Sequence, residues 1–250
     1  MTSFTAHLSP WRTAQFRRAL RTFGLPSADR DVDRLHEFDS ALRIALLIRI
    51  ERIELALRGR MAITCAGKFG PSWHVDPRAF RPGVDVDALR AQFSSALDRS
   101  TDPATRRISA ERDLGQVAFG MVAEHLSLGA ISRLAGLLDP RVARELATTF
   151  RLPAPTLRGT LQHVTHVRNC CAHHSRIWGT QLGVPTPKYR SPPSLIEPLR
   201  RTLPRSPYRS LVIISHMADS VRSDPVRTLA LDKLLAEHRD LLIGLGASES

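Results

Sequence analysis

Cysteine is scarce in this chain of 250 residues: Cys65, Cys170 and Cys171 are the only three. An odd, low number builds no disulfide framework, and a bridge between the neighbours Cys170 and Cys171 would be strained. Reduced, mostly buried thiols are expected. Long apolar runs are missing as well. None approaches the roughly 18 residues that a membrane helix needs. The opening Met1-Thr2-Ser3-Phe4-Thr5-Ala6 lacks the basic and then apolar layout of a secretory leader. A cytoplasmic protein with no membrane partner is therefore expected. Lysine is confined to Lys68, Lys188 and Lys233, so arginine supplies 33 of the 36 basic residues. GC-rich coding favours arginine, and that choice carries little meaning. The shortage of acids carries more: 24 acidic residues face 36 basic ones, for a net charge of +12. A surface so basic attracts polyanions, of which nucleic acid is the common one.

Internal repeats and strand-like alternation are also scarce, whereas helical periodicity is common, so the expected fold class is all-α. The first strong helix spans about 28 to 66. Leu42, Leu46, Ile50, Ile53, Leu57 and Met61 recur at spacings of three and four and form one apolar stripe, which Ile44, Leu47 and Ile48 widen. Glu54 and Arg58 stand at i,i+4 in the favourable order for an ion pair. Lys68-Phe69-Gly70-Pro71 ends this helix. Further helices are expected over about 85–100, from Pro103, and over 115–126, 129–138, 140–150 and 156–178. Two more close the chain, from Tyr208 to Arg222 and from Pro225 to Leu245. Leu211, Ile214, Met217 and Ala218 give the first of these a core face.

Between Val184 and Tyr208 the character changes, with seven of the chain's 17 prolines interleaved with Lys188, Arg190, Arg200, Arg201, Arg205 and Arg209. An extended surface connection is the plain expectation. A basic arm along an RNA backbone is the sharper one. The organisation expected is a single helical domain, with a core over about 28–182, this Pro-rich basic connection over 184–208 and C-terminal helices over 208–245.

The densest chemistry lies in Arg168-Asn169-Cys170-Cys171-Ala172-His173, continued by His174-Ser175-Arg176-Ile177-Trp178. On a helix turning about 100° per residue, Asn169 and His173 share a face, and Arg176 falls on the same stripe. Arg168 starts off that stripe, with a side chain long enough to reach toward His173. A cation, a polar orienter and a titratable imidazole are what cleavage of a phosphodiester requires. A zinc site is the competing reading, because His163, His166, Cys170 and His173 or His174 fall at spacings of three and four. Four ligands from one straight helix cannot surround a tetrahedral ion; at most two or three could bind, with others supplied elsewhere, and no metal site and no cofactor are assigned. Trp178 is expected to pack under the C-terminal helices.

This run resembles the C-terminal signature of the abortive-infection (Abi-like) proteins, bacterial phage-defence proteins of the HEPN superfamily. Its arginine, polar residue and histidine follow the superfamily's spacing. Leu35-His36-Glu37-Phe38-Asp39-Ser40-Ala41-Leu42-Arg43 with Ile53-Glu54-Leu55-Ala56-Leu57-Arg58 resembles the family's N-terminal helix pattern. Glu124-His125-Leu126-Ser127-Leu128-Gly129-Ala130-Ile131-Ser132 resembles its middle segment. The ordered matches cover roughly residues 33 to 182. The Pro-rich segment after Gly183 has no counterpart in the pattern.

The resemblance implies a HEPN-type helical bundle with additional N- and C-terminal helices. It implies a metal-independent endoribonuclease in which the RNA 2′-OH attacks. His173 is then the general acid or base, Arg168 the phosphate clamp and Asn169 the orienter. Arg176, His174, Arg43 and Arg58 are the expected RNA contacts. One motif per chain implies a homodimer with a composite site. The alternative is an RNA-binding HEPN module without catalysis, acting with a structured RNA or a protein partner. A protein-interaction scaffold is the third reading.

Overall fold

The computed structural model describes residues 7–221 and 225–246. Among them the fold is all-α, with a single isolated bridge between Phe80 and Leu138 and no strand. Eleven α-helices are described: α1 (Pro10–Thr22), α2 (Asp29–Phe69), α3 (Val86–Asp98), α4 (Pro103–Glu111), α5 (Phe119–Glu124), α6 (Leu128–Ala135), α7 (Pro140–Thr149), α8 (Leu157–Ala172), α9 (Pro193–Arg200), α10 (Pro207–Val221) and α11 (Pro225–Glu237). Among the described residues no helix is long and apolar enough to cross a membrane. The residues group into two compact units, one of Met1–Ile50, His166–Thr186 and Pro193–Ser250, the other of Glu51–Thr165 and Pro187–Pro192.

The second unit is built from short, sharply capped helices. Asp85, Asp102, Ser127 and Asp139 each accept a backbone N–H in the first turn of α3, α4, α6 and α7, and proline opens α4 and α7. Such caps satisfy donors that a helix start leaves bare. The core of this unit gathers Ile53, Leu57, Met61 and Cys65 of α2 with Trp73, Phe80, Phe93 and Phe119. Trp73 packs against Phe119, the rings tilted by 48° with centroids 4.2 Å apart. The Glu54–Arg58 ion pair forms as the spacing predicts, and the same guanidinium donates to the Leu126 carbonyl at 2.7 Å. It therefore ties α2 to the start of the middle segment.

Residues Pro187–Pro192 pack on this unit rather than hanging free. The Tyr189 hydroxyl hydrogen-bonds Thr160 at 2.8 Å. Pro187 approaches Gly159 so closely that a Cβ there would lie 2.8 Å from the ring.

The first unit holds α1, the N-terminal part of α2, the last turns of α8 and the C-terminal helices. Phe16, Leu20, Leu35, Phe38, Leu42 and Leu46 are buried there with Ile213, Ile214 and Met217 of α10. Arg34 makes a bidentate pair with Asp240, both contacts at 2.7 Å, joining α2 to a closing 3-10 segment, Arg239–Leu245. Arg209 donates to Thr186 at 2.8 Å and Thr202 at 3.0 Å, so one arginine of the basic stretch serves structure.

Several expectations need correction. The additional N-terminal helix expected ahead of the long helix is α1, and α2 runs on to Phe69, past the expected end at about 66. The stripe of α2 is buried as expected, but Ile44 is 56% exposed and does not widen the core face. The helix expected over 115–126 is a 3-10 turn followed by the six residues of α5. The extended connection over 184–208 contains α9, whose Leu195 and Leu199 are buried. The last helix stops at Glu237, and the stretch to Leu245 is 3-10. α10 ends at Val221, and Arg222, the expected end, lies outside the described residues, as do the six opening residues read for a leader. The motif helix ends at Ala172 and not at Trp178.

Candidate functional site

The end of α8 explains that last correction and shapes the site. Leu157, Leu161, Val164, Val167 and Cys171 form its buried stripe. Its backbone then closes in a Schellman turn: the His174 N–H donates to the Cys171 carbonyl at 3.1 Å and the Ser175 N–H to the Cys170 carbonyl at 2.9 Å. His174 takes the left-handed conformation this turn requires, with φ 56°. The chain therefore changes direction, and Arg176 leaves the helical stripe on which the spacing places it. His173 stays on the helical path, its N–H bonded to the Asn169 carbonyl at 2.9 Å.

Asp39 anchors the far side of the turn. It is fully buried, and its Oδ1 accepts the N–H groups of Ile177 and Trp178, both at 2.8 Å. Its Oδ2 accepts Arg43 Nε at 3.0 Å, and Arg43 Nη1 lies 3.3 Å from His174 Nδ1. Arginine only donates, so His174 Nδ1 is the acceptor in this contact. Arg43 is thus a buried bridge from Asp39 to His174. Trp178 is buried and its Nε1 donates to the Leu241 carbonyl at 2.6 Å, packing beneath the C-terminal segment as expected.

In front of the turn, α1 and residues 173–180 enclose a cleft of about 590 Å³. Two neighbouring stripes of α1 face it, Trp11, Gln15, Arg18 and Thr22, and Arg12, Phe16 and Ala19, the second continued by Phe23 just past the helix end. His173, His174 and Arg176 face it from the turn. Every charged side chain in the lining is basic. Arg12 donates to the His174 carbonyl and so holds the turn against α1. Arg176 lies over the Phe16 ring, 5.9 Å from its centroid, and donates to the Trp178 carbonyl. Burial lowers the Arg176 guanidinium below its ordinary pKa, against the opposing pull of Asp39. Gly179, at φ 65°, permits this packing, since a Cβ there would lie 3.0 Å from both Arg176 and Phe23.

The expected site residues are therefore only partly gathered. His173, His174 and Arg176 share the cleft. Arg168 and Asn169 sit on the preceding turn of α8, where Arg168 Nη1 reaches Asn169 Oδ1 at 3.5 Å and neither lines the cleft. Arg58 belongs to the other unit, bound to Glu54 and Leu126. His166 Nε2 accepts the Gly183 N–H at 3.2 Å and stands 3.7 Å from Cys170 Sγ. Among the described residues no three His, Cys, Asp or Glu side chains gather as metal ligands would. Burial pushes the Cys171 thiol up to about 12, so it is no nucleophile at neutral pH.

Trp11, Arg12 and Arg18 are absent from the sequence reading. Their helix was legible, because Ser9-Pro10 is a helix start and Phe16, Ala19 and Leu20 recur at helical spacing. Asp39 was also legible as the i−4 partner of Arg43.

No curated protein and no solved structure matches the chain. The family model described as Abi-like protein matches residues 5–179, a stretch that contains α1, the motif turn and every lining residue of the cleft but Thr180. Taken with the ordered matches in α2, the middle segment and the end of α8, this places the chain in the Abi-like protein family.

Proposed function

We propose that the protein is a metal-independent endoribonuclease of HEPN type that acts in abortive-infection defence against phage, in the cytoplasm. Membership in the Abi-like family supports the defence role. The observation that carries the chemistry is His173: exposed, backbone-fixed to Asn169, and facing a cleft whose charged lining is entirely basic. An imidazole both takes and returns a proton in such a step. In this reading the RNA 2′-OH attacks the adjacent phosphorus as His173 acts in proton transfer. The P–O5′ bond breaks, leaving a 2′,3′-cyclic phosphate and a 5′-OH. Arg168 binds the phosphate as charge builds on its oxygens. Asn169 orients His173, and Arg176 and His174 add contacts to the RNA. Arg43 acts from behind, as the bridge that holds His174.

Arg168 does not meet His173 within one chain, which favours a composite site in a homodimer, with Arg168 of one copy serving His173 of the other. The same separation is the observation that favours the second reading, an RNA-binding module without catalysis.

The test is cleavage of cellular RNA by the wild type and by His173→Ala, with EDTA throughout. Cleavage by the wild type alone, with cyclic phosphate ends and with DNA left intact, is the expected result. Equal cleavage by both proteins, or RNA binding by both with no cleavage even during phage infection, overturns it.

A further inference from the structure

The arginines of α1 are not equivalent. Arg17 pairs with Asp29, Arg21 donates to the Ser27 hydroxyl at 3.2 Å, and Arg12 holds the His174 carbonyl. Arg18 is exposed on the cleft wall and no acidic side chain pairs with it among the described residues. Trp11 stands seven residues earlier on the same stripe and is 69% exposed, whereas Trp73 and Trp178 are fully buried. A large aromatic left in water, two helical turns from an unpaired guanidinium, has no role in the core.

Stacking on an aromatic face is how proteins hold single-stranded bases whatever their sequence, and a guanidinium matches phosphate oxygens. Seven residues advance a helix by about 10 Å, a separation that a base and its flanking phosphate span when both long side chains lean in. The cleft, at about 590 Å³, lies in the range of small-ligand sites.

We infer that this cleft binds one nucleotide of single-stranded RNA beside the scissile phosphate, with its base stacked on Trp11 and its phosphate held by Arg18. This rests on the RNA reading above, but binding here is separable from cleavage. The Arg12–His174 contact holds this wall of the cleft against the turn that presents His173, and a base must be unpaired to stack on Trp11, so the site selects unpaired RNA.

A 2′-O-methyl RNA oligonucleotide tests this, because it lacks the attacking hydroxyl and cannot be cut. Trp11 is the tryptophan open to solvent, so acrylamide quenching of tryptophan emission reports on it. Bound oligonucleotide is expected to shield that emission. Trp11→Ala and Arg18→Ala are each expected to weaken binding about fivefold or more, with Trp11→Phe restoring most of the loss. Both positions are exposed, and unchanged circular dichroism verifies that the variants fold. Unchanged affinity in both variants, or full quenching in the complex, overturns the inference. Equal shielding by heparin overturns the nucleotide assignment. His173-dependent cleavage with Trp11 unshielded sinks this site and leaves the ribonuclease standing. Shielding without any cleavage of ordinary RNA does the reverse.

Discussion

Asp39 has no solvent contact and accepts three hydrogen bonds, two of them from the backbone just beyond the motif. Removing it orphans two amides and leaves the Arg43 charge buried. Asp39→Ala is therefore expected to cost about 3–5 kcal/mol, measured by urea unfolding, and to displace the His174 turn. A glycine is equally constrained. A Cβ on Gly244 would lie 2.0 Å from the Trp178 ring, so Gly244→Ala overpacks the floor of the motif and is expected to cost about 2 kcal/mol or more. His74 carries a pH dependence. It is fully buried with neither ring nitrogen hydrogen-bonded, and burial, aided by Arg90, holds its pKa down at about 4. Unfolded, it titrates near 6.5. Above that pH both states are neutral and nothing is lost. On acidification the unfolded state takes the proton first, so stability falls from pH 6.5 down to about 4, by roughly 3 kcal/mol in all. His74→Leu is expected to remove that slope from the unfolding free energy plotted against pH.

At the scale of elements, the C-terminus of α8 holds the clearest contrast between what a pattern shows and what packing decides. Helical spacing correctly places Asn169 and His173 on one face. It does not announce a turn at His174, because histidine is a poor marker for a left-handed residue that glycine normally fills. The turn persists because Arg12 takes its carbonyl, Arg43 faces its ring and Asp39 binds the two amides after it. These partners lie more than a hundred residues away in sequence. His174→Gly is expected to be more stable than His174→Ala by about 1 kcal/mol, since both lose the Arg43 contact but only alanine keeps the backbone strain at φ 56°. Thermal unfolding of the two variants side by side decides it. The helices of the second unit were more legible, because their starts are written as Asp or Ser caps and prolines. α5 was less so: six residues are too few for periodicity to show, and what holds them is the burial of Phe119 and Val122. α9 hid among prolines that mark a helix start as readily as a loop.

For the whole molecule, the proposed pairing of two chains makes a sharp prediction. Arg168→Ala and His173→Ala are each expected to be inactive alone. Mixed under conditions that exchange subunits, they rebuild one complete site per mixed dimer, and RNA cleavage returns in part. A site formed within one chain gives no such rescue. The net charge of +12 predicts that RNA binding weakens steeply with salt, by about 0.7 log units per decade for each phosphate neutralised on a single strand. The all-α class, the stripe of α2 and the family signature followed from the sequence by itself, because composition, helical periodicity and residue order are local properties of the chain. The tertiary structure alone decided that α1 walls the cleft, that Arg43 is a buried bridge and that Arg176 leaves the helix. Each of these depends on which distant groups satisfy a buried charge or an open carbonyl, and spacing along a helix holds no record of that.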